Sequence, residues 1–348
     1  MGERTLAFQA LARIEKLMLS AYDRRHFAIL HQRLAAHSRP QPLILSLGGN
    51  LPDSIGLWIE RAELAVGLGE REQALEGLER VMEMSPSADQ RTRVAVLYRK
   101  LREHGRALAL MKQLSELRPH DVELWIEQAE LAVEMGERAQ ALLALTRFEL
   151  LKPSAADRRR GVALYIQLKE YPKAAVELEA LARSEPENSD LGIAQAELAV
   201  TMGERKRALR ELARVEALKP SAEGRLRVAH SYQNLKEYDR AVAVLDTLIV
   251  QRPSAAELYS DRGLCRHLKG QTGAAAADLD HAIELDADFF PAYLTLGAIR
   301  TAQGRNAEAL KLYDRALLRP SLAKDASLRE LVRKSRQETL SRLRSSAP

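Results

Sequence analysis

The sequence has few of the residues on which disulfide-rich, metal-binding or large globular domains depend. Only one of its 348 residues is a cysteine, and aromatic residues make up 5%. The single cysteine, Cys265, excludes an internal disulfide framework and a multi-cysteine metal cluster. The low aromatic content argues against a single large globular core and favours exposed helices that share a thin core.

Motifs of catalysis are also missing. The sequence contains no HExxH, no glycine-rich phosphate-binding loop, no nucleophile elbow and no Cys/His pair at metal-ligand spacing. Its eight histidines are scattered along the chain. The sequence therefore predicts a protein that is not an enzyme, with no catalytic residue, no cofactor and no metal site.

Charge and hydropathy point away from nucleic acid and membrane. The chain has 53 basic and 48 acidic residues, so its formal charge is only +5. No apolar run approaches the length of a membrane span, and the N-terminal stretch "MGERTLAFQALARIEKL" lacks the layout of a secretory signal. We therefore expect neither a nucleic acid nor a membrane as a partner. A cytoplasmic location is slightly favoured, and a periplasmic location stays open if the natural chain is longer.

What the sequence does contain is repetition. The phrase "AELAVGLGER", which starts at Ala62, returns as "AELAVEMGER" from Ala129 and as "AELAVTMGER" from Ala196, at an even spacing. Prolines divide each interval into two shorter units, at Pro52, Pro86, Pro119, Pro153, Pro186, Pro220 and Pro253. A unit of about 34 residues is two helices and two turns.

The unit that starts at Val122 resembles the tetratricopeptide repeat. It has the large, small, glycine and proline residues of that family in register, at Trp125, Ala129, Gly136, Ala141, Leu145 and Pro153. The resemblance implies an all-α, right-handed α-solenoid of about nine helix-turn-helix repeats. The predicted domains are a half repeat at 1–20, nine repeats at 21–322 in alternating pairs, and a C-terminal capping helix and tail at 323–348.

The first residues match the second half of a repeat. Met1 aligns with Met135, at twice the spacing between successive copies of the recurring phrase. The half repeat would then lack its first helix, so we expect the natural protein to continue N-terminally. An open end of this kind is expected to expose apolar residues and to allow self-association.

The C-terminal stretch predicts one more amphipathic helix. Its apolar residues fall largely on one face, at Leu328, Leu331, Val332, Leu340 and Leu343. One interpretation is a helix that caps the open end of the stack, as solenoids require. The other is a basic helix for an acidic partner or a membrane surface.

The resemblance also implies a binding surface, because tetratricopeptide repeats grip a peptide with first-helix residues on their concave face. Carried over to this sequence, the partner-binding residues are Ile59, Glu63, Val66, Val96, Arg99, Lys100, Ile126, Glu130, Val133, Arg159, Ile166, Ile193, Glu197, Val200, Leu226, His230 and Gln233. The three glutamates would select a partner with spaced basic residues. Opposite charges one repeat apart, such as Glu60 and Arg93, have two interpretations that stay open: a ladder of ion pairs along the first helices, or a solvated and mutually compatible charge pattern.

The function implied is a non-catalytic scaffold that binds a peptide or protein segment in the groove of the repeats. Capture of a chaperone tail is disfavoured because the asparagine that clamps a terminal carboxylate is missing. One alternative is the repeat region of a larger bacterial export or assembly protein, for example in periplasmic polysaccharide secretion. A less favoured alternative is an RNA-binding helical-repeat protein, against which the repeated inner-face glutamates argue, since they would repel phosphate.

Overall fold

The computed structural model describes residues 55–323 and 325–345. Within these ranges the chain is helical and contains no strand, which confirms the prediction of an all-helical repeat fold. The predicted half repeat at 1–20, its self-association and the first full repeat, which begins near Ala21, lie outside the described residues.

In the described ranges, eight helix pairs and a C-terminal segment follow one another. The paired helices are α1 Ile55–Leu68 and α2 Arg71–Glu83, α3 Ala88–Lys100 and α4 His104–Leu117, α5 Val122–Glu134 and α6 Arg138–Leu150, α7 Ala155–Gln167 and α8 Tyr171–Ser184, α9 Ser189–Thr201 and α10 Arg205–Ala217, α11 Ala222–Asn234 and α12 Tyr238–Gln251, α13 Ala256–Leu268 and α14 Thr272–Leu285, and α15 Phe290–Ala302 and α16 Asn306–Leu317. A short turn, α17 Pro320–Ala323, precedes the long α18 Ala326–Ser345.

The helices belong to two compact units that divide between Glu170 and Tyr171. The first unit contains α1 to α7, and the second contains α8 to α18. Helices α7 and α8 of one repeat therefore fall on either side of the division.

Local sequence explains where the first helices begin. A serine directly after the repeat proline is the N-cap of α3, α7 and α11, and each hydroxyl accepts a backbone N–H in the first turn, as Ser221 does from Gly224 at 3.1 Å. Proline cannot continue the preceding helix, because it has no N–H to donate. The Pro-Ser pair thus ends one helix and starts the next.

The glycine of the recurring phrase ends the first helix of alternate repeats. Gly136 has φ +75°. The backbone N–H of the following residue, Glu137, donates to the carbonyl of Ala132 at 2.8 Å. Gly69 and Gly203 have the same left-handed conformation. A glycine reaches that conformation without the steric penalty of a Cβ, so the turn into the second helix is tight.

Small residues allow the two helices of a pair to pack closely. Ala62 and Ala74 of the first pair are fully buried. In the last pair Gly297 faces Tyr313, and a Cβ at position 297 would lie 2.7 Å from the tyrosine ring. The large ring therefore needs a residue without a side chain opposite it.

Alternate repeats place a tyrosine in the core where the others have a small residue. The Tyr165 hydroxyl donates to Glu149 at 2.6 Å, and the Tyr232 hydroxyl donates to Glu216 at 2.8 Å. Burial, followed by the hydrogen bond to Glu216, raises the pKa of Tyr232 to about 12. The Tyr232 phenol therefore remains a neutral donor, and each of the two hydroxyls ties a first helix to the second helix of the repeat before it.

The C-terminal helix packs on the last helix pair. Val332 and Thr339 of α18 are buried, and the hydroxyls of Thr339 and Thr301 lie 3.1 Å apart. These contacts cover the last pair on one side, as a capping helix does.

Candidate interaction surface

The arginine of the recurring phrase links each odd-numbered repeat to the next. Arg71 donates to the carbonyl of Leu101, directly after α3, and to Glu103, directly before α4. The same two contacts recur in the next two copies of the phrase, from Arg138 to Leu168 and Glu170 and from Arg205 to Leu235 and Glu237. The guanidinium satisfies a carbonyl that a helix end leaves without a partner. The phrase recurs because both its turn and this contact recur.

The recurring glutamate is also engaged within the chain. Arg93 on α3 donates to Glu63 on α1 at 2.7 Å and to Glu60 at 2.8 Å. Arg227 on α11 donates to Glu197 on α9 at 2.6 Å. The sequence left open whether the alternating charges form ion pairs or a solvated pattern, and Glu60 and Arg93 form an ion pair.

The central glutamate has two arginine partners. Glu130 on α5 accepts from Arg99 on α3 at 3.1 Å and pairs with Arg160 on α7 at 2.9 Å. Arg160 also donates to Glu123 at 2.8 Å, and not to Glu127, the residue one repeat earlier in the sequence pattern. The ion pairs join α1, α3, α5 and α7 along one face of the first unit, which we call the first-helix face.

Burial affects one carboxylate on this face. Glu127 is half-buried on α5, and burial, followed by the nearby charge of Glu123, raises its pKa. Glu127 therefore holds its proton to a higher pH than an ordinary glutamate does.

Three residues predicted to contact a partner do not lie on the surface. Ile59, Ile126 and Ile193 are fully buried in the core, so their assignment to the concave surface is wrong. The second unit shows the reason, because Ile193 packs over Gly224 of the next first helix, where an added Cβ would lie 3.0 Å from the isoleucine Cδ1. The next repeat covers this position.

The other predicted residues differ in exposure. Those half-buried are Glu63, Val66, Val96, Arg99, Glu130, Val133, Glu197, Val200, Leu226 and Gln233. Those exposed are Lys100, Arg159, Ile166 and His230. Residues three apart on a helix lie on the same side, so Val66, Val96 and Val133 border the paired charges of Glu63, Arg93 and Glu130.

His230 pairs with a carboxylate of the following repeat. Its Nε2 lies 2.8 Å from Asp261 Oδ2, so α11 is joined to α13. The hydrogen bond to Asp261 raises the pKa of His230, and burial opposes the shift only in part.

The raised pKa predicts a pH-dependent contribution to stability. Because the folded pKa lies above the unfolded value of about 6.5, the pair stabilises the fold fully below that pH and loses its effect as pH rises through the folded pKa. The side chain is 47% exposed, so we expect less than about 1 kcal/mol. Urea denaturation of the wild type and of His230→Gln should differ most near pH 6 and converge by about pH 9.

The control for this prediction is Asp261→Asn, which should lower the pKa of His230 in an NMR titration. Denaturation midpoints that change in parallel for the wild type and His230→Gln across the pH range would contradict the assignment.

The second unit contains a buried ionic cluster that was not predicted from the sequence. Asp278 on α14 accepts from Arg262 at 2.6 and 3.0 Å and from Arg266 at 2.7 Å, and Arg262 also donates to Asp246 at 2.7 Å. The carboxylate of Asp278 is 6% exposed. The sequence contained a signal for this cluster, because charged residues occupy core positions in both helices of this repeat.

Reactive groups are few in the described part of the chain. Cys265 is buried, and burial raises its pKa to about 11, so the thiol stays protonated and packs as a small apolar group. Across residues 55–323 and 325–345 no three His, Cys, Asp or Glu side chains are arranged to hold a metal ion. Among the same residues, no helix has the length and apolar character needed to cross a membrane.

Comparison with known proteins agrees with this architecture. Residues 229–334 match the tetratricopeptide repeat family. The C-terminal part of a tetratricopeptide-repeat protein from Cytophaga hutchinsonii superimposes with a TM-score of 0.50 at 13% identity, over 66% of this chain and 95% of that one. The match assigns residues 229–334 to the tetratricopeptide repeat family, and the structural similarity shows that the described chain has a helical-repeat fold.

Two further solved structures are similar at lower scores. A tetratricopeptide repeat protein from Parabacteroides merdae gives a TM-score of 0.49 at 17% identity, over 83% of this chain and 100% of that one. YrrB, described as having an unusual peptide-binding site, gives 0.40 at 24% identity, over 52% and 95%. No curated protein sequence matches the chain.

Proposed function

We propose that this protein is a non-catalytic scaffold that binds a peptide or protein segment along its first helices. Tetratricopeptide repeats are generally scaffolds for protein interaction, and the match of residues 229–334 supports that class for this chain. The binding surface proposed is the first-helix face of the first unit.

One observation carries this proposal. The first-helix face has apolar side chains accessible between charges that are already paired within the chain. Val66, Val96 and Val133 are half-buried, and Ile166 is 40% exposed on α7. A partner can cover such a surface without removing uncompensated charges from water, which would be costly.

Because the glutamates of this face are already paired, we no longer expect a partner with spaced basic residues. Glu63 and Glu130 already hold arginines at 2.7 and 2.9 Å, so they do not need basic residues from a partner. Lys100 is exposed at the end of α3, beside the same face. A largely apolar segment with an acidic residue placed near Lys100 fits this surface best.

The experiment uses peptides selected on the full chain from a phage-displayed random library. Fluorescence anisotropy then compares the wild type with Lys100→Glu/Ile166→Asp. We expect this double variant to weaken binding about tenfold or more, because it replaces an apolar contact and reverses a charge at the proposed surface.

The matched control is Leu143→Asp/Arg147→Glu, which makes the same kinds of change on exposed positions of the second helix α6. It should alter affinity less than about twofold, since this face lies outside the proposed site. Equal losses in both variants, or a library that gives no binding peptide, would show that the first-helix face is not the binding site.

A further inference from the structure

A cleft lies between α16 and α18 in the second unit. Its volume is about 930 Å³. Side chains of both helices line it, among them Asp314, Leu317, Arg333, Arg336, Leu340 and Arg344. The lining thus combines apolar side chains with several guanidinium groups.

Helix geometry places the basic residues of α18 along this cleft. Arg333, Arg336, Leu340 and Arg344 are three or four residues apart, so they share one side of the helix. Elsewhere on α18, the buried Val332 and Thr339 hold the helix against the last pair. The cleft residues of α18 therefore lie on a helix that is held in place.

The charges that line the cleft do not balance. Among the described residues of the lining, Asp314 is the one carboxylate, and it already accepts from Arg336 at 2.5 Å. Arg333 pairs within its own helix, with Glu330 at 3.6 Å, and both side chains are more than half exposed. Such a pair contributes little, so Arg333 and Arg344 leave the cleft with excess positive charge.

We propose that this cleft docks an acidic segment of a partner protein. Its carboxylates would bind Arg333 and Arg344, and an apolar side chain between them would rest on Leu317 and Leu340. The two arginines are eleven positions apart, about 16 Å along a helix, which an extended segment of about five residues spans. The apolar residues between the arginines favour a peptide over nucleic acid, whose backbone has no apolar side chain to place there.

The test uses the full chain and a fluorescein-labelled peptide that has two pairs of glutamates five positions apart, with leucine and phenylalanine between them. A second peptide replaces every glutamate by glutamine. We expect the glutamine peptide to bind about tenfold more weakly, and added salt to weaken only the glutamate peptide.

Matched variants locate the binding on the protein. Arg333→Glu/Arg344→Glu should weaken the glutamate peptide about tenfold or more. Lys334→Glu/Arg342→Glu makes the same change in charge on α18 outside the cleft lining and should have less than about a twofold effect. Circular dichroism should show equal helicity for both.

Three outcomes would overturn the proposal. They are equal losses in the two α18 variants, equal binding of the two peptides, and tighter binding of phosphatidylserine vesicles or a single-stranded RNA oligonucleotide with the same dependence on Arg333 and Arg344. Lys100→Glu/Ile166→Asp should leave binding of the glutamate peptide unchanged, so failure here is distinguishable from failure of the proposed first-helix site.

Discussion

Replacing Asp278 by alanine is expected to lower the free energy of unfolding by about 3–5 kcal/mol. The substitution removes the carboxylate that Arg262 and Arg266 share, and both guanidinium groups remain largely buried, with side chains 15% and 23% exposed. Arg262 keeps Asp246, which is 48% exposed and cannot replace the buried partner. The loss follows from leaving positive charge without its buried partner.

The surrounding structure gives the cluster little room to relax. Gly263 allows α13 to approach α14 so closely that an added Cβ would lie 3.1 Å from the carbonyl of Ala275 and 3.3 Å from Asp278 Cβ. Arg262 also lies over the ring of Tyr259, 5.3 Å from its centroid. Close packing on both sides holds the Arg262 guanidinium in the same place when Asp278 is removed.

Urea denaturation of the full chain measures this effect, and Asp280→Ala is the control. Asp280 lies two residues away on the same helix but is 56% exposed, so its removal should change stability by less than about 0.5 kcal/mol. Replacing Arg262, Arg266 and Asp278 together by apolar residues of similar size should recover much of the loss. Similar effects of Asp278→Ala and Asp280→Ala would show that the buried cluster does not stabilise the fold.

The helix pairs could be predicted because their signals are local. A proline that lacks an N–H and a serine that caps the next helix act within a few residues, so spacing alone indicates the repeat. The same holds for Gly136, whose left-handed conformation ends a helix. No contact between distant residues is needed to recognise these features.

The binding surface could be predicted only in part, because exposure depends on the neighbouring repeat. Ile193 occupies a position that the family presents to a partner, yet Gly224 of the next first helix packs against it. Arg160 binds Glu123 and Glu130 because its long side chain reaches past Glu127, the residue one repeat earlier in the sequence pattern. Which of several nearby carboxylates an arginine chooses depends on the stacking geometry, which repeat spacing does not specify.

Reversing Glu63, Glu130 and Glu197 to lysine is expected to destabilise the protein as well as to alter its surface. Each glutamate pairs with an arginine of the next first helix, and their side chains are only 27%, 22% and 39% exposed. Losing an attraction of about 0.5 kcal/mol and adding a comparable repulsion at each site gives about 3 kcal/mol for the triple variant.

The matched control reverses three exposed glutamates outside the first-helix face, Glu76, Glu116 and Glu187. It makes the same change in net charge, so a general effect of charge would appear in both variants, whereas loss of the ion pairs would appear only in the first. Charge exchange provides a second check, because Arg227→Glu in the Glu197→Lys background restores opposite signs at this pair and should recover part of the lost stability. Melting of both triple variants at the same temperature, without recovery on exchange, would mean that these ion pairs do not hold the first helices together.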